Sequence, residues 1–129
     1  MKSKKIKLII FHPYSKVGGA DKSLSRLVNE LSSKKYEIIF ISLSKPYIKN
    51  YLVKKIRFIQ IKSSRVLLSI FKTRRILKNI SLDDKVIFFS NQNFANIVSF
   101  FILYNMKTIK HVVFERNHID ELNDYENFI

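Results

Sequence analysis

Short apolar runs alternate with helix-spaced stretches from one end of this chain to the other, and that alternation limits its fold more than any other feature. Lys7 to Phe11 (KLIIF) is an apolar run closing on His12-Pro13, the form of a buried parallel strand. After the loop His12 to Gly19, residues Leu24, Leu27, Val28 and Leu31 fall at i, i+3, i+4 and i+7, the spacing of one apolar helix face. Asp21 sits in the first turn, where a carboxylate favours the helix dipole, and the helix fades near Ser32-Ser33. Tyr36 to Leu43 (YEIIFISL) is β-branched and aromatic and reads as a second strand. Strand, helix and strand in this length make a βαβ unit with a right-handed crossover and parallel strands.

The pattern repeats. Pro46 to Lys55 is an aromatic and basic connection, and Ile56 to Ile61 alternates as a third strand nearer the sheet edge. Arg65 to Ile80 is predicted helical, with Leu67, Ile70, Phe71 and Leu77 on one side and Arg65, Lys72 and Arg75 on another. Ser81 to Asp84 reads as a turn, and Val86 to Ser90 (VIFFS) as a fully apolar, central fourth strand. Asn93 to Tyr104 is a helix with little polar surface, Thr108 to Phe114 a fifth strand, and Ile119 to Ile129 opens a further helical stretch. The expected architecture is α/β, a single Rossmann-like parallel sheet over residues 1–129 with helices on both faces. In a 3-2-1-4-5 strand order, the switch point lies between the first and fourth strands, and ligands gather at the carboxyl ends of the strands there.

Composition narrows the setting. Hydrophobic residues make up 47% of 129 residues, enough for one domain with a core. The absence of Cys excludes disulfides, zinc thiolates and a thiol nucleophile, and is compatible with the cytosol. The basic start Met1-Lys-Ser-Lys-Lys lacks the apolar region of a secretory signal, because Lys7 and His12-Pro13 interrupt it. The nearest approach to a membrane span, Phe94 to Met106, is short of the required ~20 residues and carries Asn96, Ser99 and Asn105, so it reads as a buried helix. A net charge of +14 points to anionic partners, or else to the Lys-, Ile- and Asn-rich drift of an AT-rich genome.

Gly18 and Gly19 are the chain's only glycines, adjacent between the first strand and first helix. Glycine there permits close approach of a ligand, and the helix N-terminus that follows favours a phosphate; an ordinary tight turn uses the same residues. Topology brings three further groups to the same edge: Tyr14, Ser15 and Lys16 from the glycine loop, Ser90, Asn91 and Gln92 after the fourth strand, and Glu115, Arg116, Asn117 and His118 after the fifth. Arg116 offers a planar fork suited to phosphate or carboxylate. Each also has a plain structural role open to it: Ser90 or Asn91 as a helix cap, His118 as a solvated loop histidine.

Lys7 to Leu43 resembles the opening of family 4 glycosyltransferases, the retaining enzymes of GT-B architecture. The likeness rests on Gly18-Gly19-Ala20-Asp21, then Leu24, Leu27 and Asn29-Glu30-Leu31, then Tyr36-Glu37-Ile38. Asp83-Asp84-Lys85-Val86-Ile87 resembles that family's approach to its next strand with the proline missing, and Phe114-Glu115-Arg116-Asn117 is similar to its Ser-Glu-Arg-Asn variant. The resemblance implies transfer of a sugar from a nucleotide-sugar donor to a glycan or lipid-linked acceptor, in cell-surface polysaccharide or glycoconjugate synthesis, with no metal and no cofactor. It implies that this is the acceptor-side half. Gly18 and Gly19 would contact the donor diphosphate, Arg116 would lie near the reacting sugar, and Tyr14, Lys16, Asn91, Gln92, Asn117 and His118 would line the cleft. Many members carry a histidine at or near the position of Arg116, so its role is that of a candidate only.

The family's donor domain, with its paired glutamates, has no counterpart in these residues, and the acceptor-side sheet itself reads as incomplete at its C-terminus. The expectation is therefore a chain inactive alone. Its setting would be cytoplasmic, peripheral at the inner face of the cytoplasmic membrane, with Tyr47 to Arg57 and Arg65 to Lys78 as basic segments facing anionic lipid. Two rival readings stand beside this one. One is a non-catalytic anion- or nucleic-acid-binding module, which the Lys, Arg and Tyr interleaving between Lys45 and Arg57 permits but no recognised nucleic-acid motif supports. The other is a relic of a truncated gene.

Overall fold

Five strands pair in parallel in the order β3-β2-β1-β4-β5, which is the predicted doubly wound arrangement. The computed structural model describes residues 6–13, 19–43, 47–63, 65–80 and 85–114, with the backbone alone for residues 19, 20 and 93. The strands are β1 (Ile6–Phe11), β2 (Tyr36–Ser42), β3 (Arg57–Gln60), β4 (Val86–Asn91) and β5 (Ile109–Phe114). The helices are α1 (Gly19–Ser32), α2 (Ser69–Asn79) and α3 (Asn93–Ile102), with a 3-10 turn at Tyr47–Tyr51. The third predicted strand is trimmed at both ends, and the second predicted helix starts four residues later than expected, at Ser69 rather than Arg65.

The sheet separates two apolar layers, because successive side chains of a strand point to opposite faces. Leu8 and Ile10 of β1 join Ile38 and Phe40 of β2 beneath Leu24 and Val28 of α1. Ile9 and Phe11 join Ile39, Ile41 and Phe88 on the other face, beneath Leu77 of α2 and Ala95, Val98 and Ile102 of α3. The central strands are therefore apolar on both faces, which is why they read as continuous runs rather than alternations.

The helix faces differ in phase from the expectation. In α1 the buried stripe is Asp21, Leu24, Ser25, Val28 and Ser32, while Leu27 is exposed. Ser25 and Ser32 offset their burial by donating to the carbonyls of Lys22 and Asn29, at 2.7 and 2.6 Å. In α2 the buried stripe is Ser69, Thr73 and Leu77; Leu67 and Phe71, expected inside, face out, and Phe71 is 81% exposed. The expectation of a buried helix for Phe94 to Met106 is likewise corrected. Ala95, Val98 and Ile102 of α3 are buried, but Ile97, Phe100 and Phe101, with Tyr104 just beyond, are exposed.

Two polar clamps fix the connections. Asn29 donates from Nδ2 to the Tyr51 carbonyl at 2.8 Å and accepts from the Val53 N–H at 3.0 Å, holding the 3-10 turn on α1. Arg74 donates from Nη1 to the carbonyls of Ile102 and Tyr104 at 2.9 and 2.8 Å, covering acceptors that the end of α3 leaves unpaired.

Candidate functional site

β1 does not release its neighbour when it ends. The His12 N–H donates to the Ile41 carbonyl at 3.0 Å, and the Leu43 N–H donates to the Pro13 carbonyl at 3.0 Å. These bonds carry the pairing with β2 past Phe11 and hold His12 fixed at the carboxyl edge of the sheet. Its ring is buried there, edge-on to Phe40 at 6.0 Å between centroids.

Both ring nitrogens are engaged. Nε2 lies 3.0 Å from Oδ1 of Asp21, in the first turn of α1, and Nδ1 lies 3.1 Å from Nδ2 of Asn91, the last residue of β4. A carboxylate only accepts and the Asn91 amide nitrogen only donates. The arrangement therefore fits an imidazole that gives its Nε2–H to Asp21 and accepts at Nδ1. Three elements (β1, α1 and β4) meet in this buried trio at the switch point, where an open parallel sheet presents its ligands.

One atom of the trio is left over. Asp21 Oδ2 is buried with no hydrogen-bond partner among the described residues, which leaves an acceptor open to an O–H or N–H donor. The N-terminus of α1 supplies backbone N–H groups and the positive end of its dipole at the same place.

Gln92 follows Asn91 with φ 94° and ψ 143°, a conformation that belongs almost to glycine alone. Gly19, by contrast, is the first residue of α1 and has no positive φ, so the backbone freedom expected of the glycine pair is not used at Gly19. The strained residue of the site is Gln92, between the end of β4 and the start of α3. Strain of this kind concentrates at functional sites.

A second polar chain lies on the opposite face of β4. Ser90 donates from Oγ to Asn96 Oδ1 at 2.8 Å, and Asn96 donates from Nδ2 to the Phe114 carbonyl at 3.1 Å. The Ser90 proton is thus committed, so His111 Nε2, 2.7 Å from the same Oγ, is the donor in that pair. His111 packs edge-on against Phe88 and Phe100, and desolvation by burial lowers its pKa below the usual histidine value. Neither Ser90 nor Asn91 caps α3 through its side chain: one bonds to Asn96 and the other to His12.

Of the predicted site residues, Asn91 and Gln92 stand at this edge beside the first turn of α1, and Gly19 opens that turn. Gly18, Tyr14, Lys16, Arg116, Asn117 and His118 lie outside the described residues. Neither the models of known protein families nor the curated proteins contain a match to this chain.

The sequence reading missed His12 and His111, and it gave Asp21 only a dipole role. A histidine directly after an apolar strand at the switch point, in a chain with three histidines, was the available signal. Among the described residues no group of three or more His, Cys, Asp or Glu side chains is placed to hold a metal ion. What the arrangement offers chemically is a buried, oriented carboxylate and imidazole next to a helix N-terminus, with one carboxylate oxygen open to a hydrogen-bond donor.

Proposed function

We propose that this chain is the acceptor-side Rossmann-like half of a retaining glycosyltransferase, which receives a sugar from a nucleotide-sugar donor on a glycan or lipid-linked acceptor. The observation that carries the reading is the buried His12–Asp21–Asn91 trio at the carboxyl ends of β1 and β4, beside the first turn of α1 that Gly19 opens. The likeness of Lys7 to Leu43 to the family 4 opening supports it independently.

Each group has a task in that reading. The N-terminus of α1 stabilises charge on the donor diphosphate through backbone N–H groups, which need no reorganisation as charge develops. Asp21 Oδ2 accepts a hydroxyl of the acceptor sugar, and His12 holds the carboxylate in place through Oδ1. Gln92 presents its backbone at the cleft in a conformation held by the strand and helix on either side. Contacts to the nucleotide and the choice of donor sugar fall to a donor-binding domain, and transfer is expected only in its presence.

Among the described residues no helix is long and apolar enough to cross a membrane. The proposed setting is the cytoplasmic side, peripheral at the inner face of the cytoplasmic membrane, where a lipid-linked acceptor and the +14 charge both find anionic lipid.

The test is amide chemical-shift mapping of the isotope-labelled chain against nucleotide sugars, acceptor mono- and oligosaccharides, and a short RNA. Saturable shifts confined to His12, Asp21, Asn91 and Gln92 with a sugar or diphosphate ligand are expected, and Asp21→Ala abolishes them. Saturable binding of RNA alone, with no response at these four residues to any sugar or diphosphate, would overturn the reading.

A further inference from the structure

Asn91 does more at the carboxyl edge than end a strand. Phe11 of β1 pairs in parallel with Ser90 of β4, so one step further on His12 and Asn91 stand side by side. Strand alternation puts both on the α1 face: Leu8 and Ile10 precede His12 there, and Ile87 and Phe89 precede Asn91. β4 stops at Asn91, and Gln92, at φ 94°, turns the chain within one residue into α3. The Asn96 N–H donates to the Gln92 carbonyl at 2.8 Å and fixes that turn. The Asn91 amide is thus held against the His12 ring by the strand before it and the strained residue after it.

That placement decides how many protons the ring carries. Asp21 Oδ1 stands 3.0 Å from Nε2 and, as a carboxylate oxygen, calls for a proton there. A second proton, on Nδ1, would make the ring an imidazolium and its contact with Asp21 an ion pair without net charge. Nδ1, however, faces Asn91 Nδ2 at 3.1 Å, and an amide nitrogen brings hydrogens of its own and accepts none. Both residues are buried, and two N–H groups aimed at one another there would each lose a hydrogen bond.

The structure assigns Asn91 as the positioning residue that keeps His12 at one proton, on Nε2, and so leaves the Asp21 carboxylate with an uncompensated negative charge. Asp21 Oδ2, which has no partner among the described residues, is then an anionic acceptor. The ligand group that meets it is a hydroxyl or an ammonium, because a hydrogen bond to a charged oxygen is about twice as strong as a neutral one. A phosphate oxygen would meet like charge at Oδ2, and its place is at the backbone N–H groups that open α1. Naming the hydroxyl as that of an acceptor sugar rests on the proposed transferase reading; the proton count does not.

The test is ring-nitrogen magnetic resonance of the whole nitrogen-labelled chain at neutral pH. His12 should show a protonated Nε2 and an unprotonated Nδ1, with a nitrogen–nitrogen coupling to Asn91 Nδ2 across the hydrogen bond. A protonated Nδ1, with the Asn91 oxygen turned toward it, overturns the inference. Asn91→Asp keeps the shape and replaces the donor by an acceptor, so His12 Nδ1 should gain a proton while His111, on the other face of β4, keeps its signals. A His12 ring still at one proton in that variant overturns the positioning role, since packing alone would move neither nitrogen. Circular dichroism establishes that the variant is folded; if it is not, the coupling in the unaltered chain decides. Inorganic phosphate and glucose are titrated in parallel, with the Asp21 carboxyl carbon as the reporter. Saturable displacement of that signal by phosphate and not by glucose overturns the ligand class. A singly protonated His12 in a chain that binds neither sugar nor diphosphate upholds the proton placement and removes support from the transferase reading. A doubly protonated His12 in a chain that binds them does the reverse.

Discussion

His12 Nε2 and Asp21 Oδ1 stand 3.0 Å apart in the protein interior, and this contact ties the end of the central strand to the first turn of the first helix. They stand nine positions apart in sequence, and the glycine pair lies between. The contact thereby holds the first turn of α1, which Gly19 opens, against the residue that follows β1.

Asp21→Ala should therefore destabilise the fold even though it removes a carboxylate of which one oxygen has no partner among the described residues. It leaves the His12 Nε2–H buried without its acceptor, which costs about 1–3 kcal/mol. Urea unfolding is the measurement: the midpoint should fall with the slope unchanged. Asp21→Asn, which can still present an oxygen to Nε2, should recover most of the loss. Equal losses in the two variants would mean that the charge at the helix N-terminus, and not the hydrogen bond, is what stabilises.

Gln92→Gly should raise stability. Its φ of 94° and ψ of 143° impose about 1–3 kcal/mol of backbone strain on any residue with a Cβ. Glycine removes that strain at an entropic cost of about 0.5–1 kcal/mol, for a net gain on the order of 1 kcal/mol. Gln92→Ala is the control: it loses the side chain, keeps the Cβ and should show no gain. Thermal unfolding of both variants decides, since relief of strain predicts a gain for the glycine variant alone.

The strand order and the switch point were legible because they rest on long-range regularities: apolar runs of strand length, helix-length spacers and the right-handed crossover. The faces of the helices were less so. In α2 the buried stripe is Ser69, Thr73 and Leu77, two of them hydroxyl residues, so counting apolar residues selected Phe71 instead. In α3 apolar residues lie nearly all round, and a sequence without contrast carries no phase. The site was half legible. Asn91 and Gln92 followed from topology, but the strain at Gln92 and the trio around His12 arise from tertiary contacts: seventy-nine positions separate His12 from Asn91.

Thr73 carries a cost of burial. Its Oγ1 is buried with no hydrogen-bond partner among the described residues. Thr73→Val exchanges the hydroxyl for a methyl of similar shape and should stabilise by about 1 kcal/mol. Thr73→Ala, which opens a small cavity at the same place, should destabilise. A higher urea midpoint for the Val variant with a lower one for the Ala variant is the expected pair of results.

His111 should give stability a component that depends on pH. Burial against Phe88 and Phe100 lowers its pKa in the folded chain below the ordinary 6.5. Between the folded and unfolded values the unfolded chain binds the proton and the folded chain does not, so stability rises with pH across that window. The contribution is complete above the unfolded value and is lost as pH falls through about 6.5 toward the folded value, below which it changes no further. Urea midpoints measured as a function of pH should show this decline. His111→Gln, which keeps a donor toward Ser90 Oγ but does not titrate, should remove it. An identical pH profile in that variant would assign the decline to the carboxylates or to another histidine and leave His111 with a packing role alone.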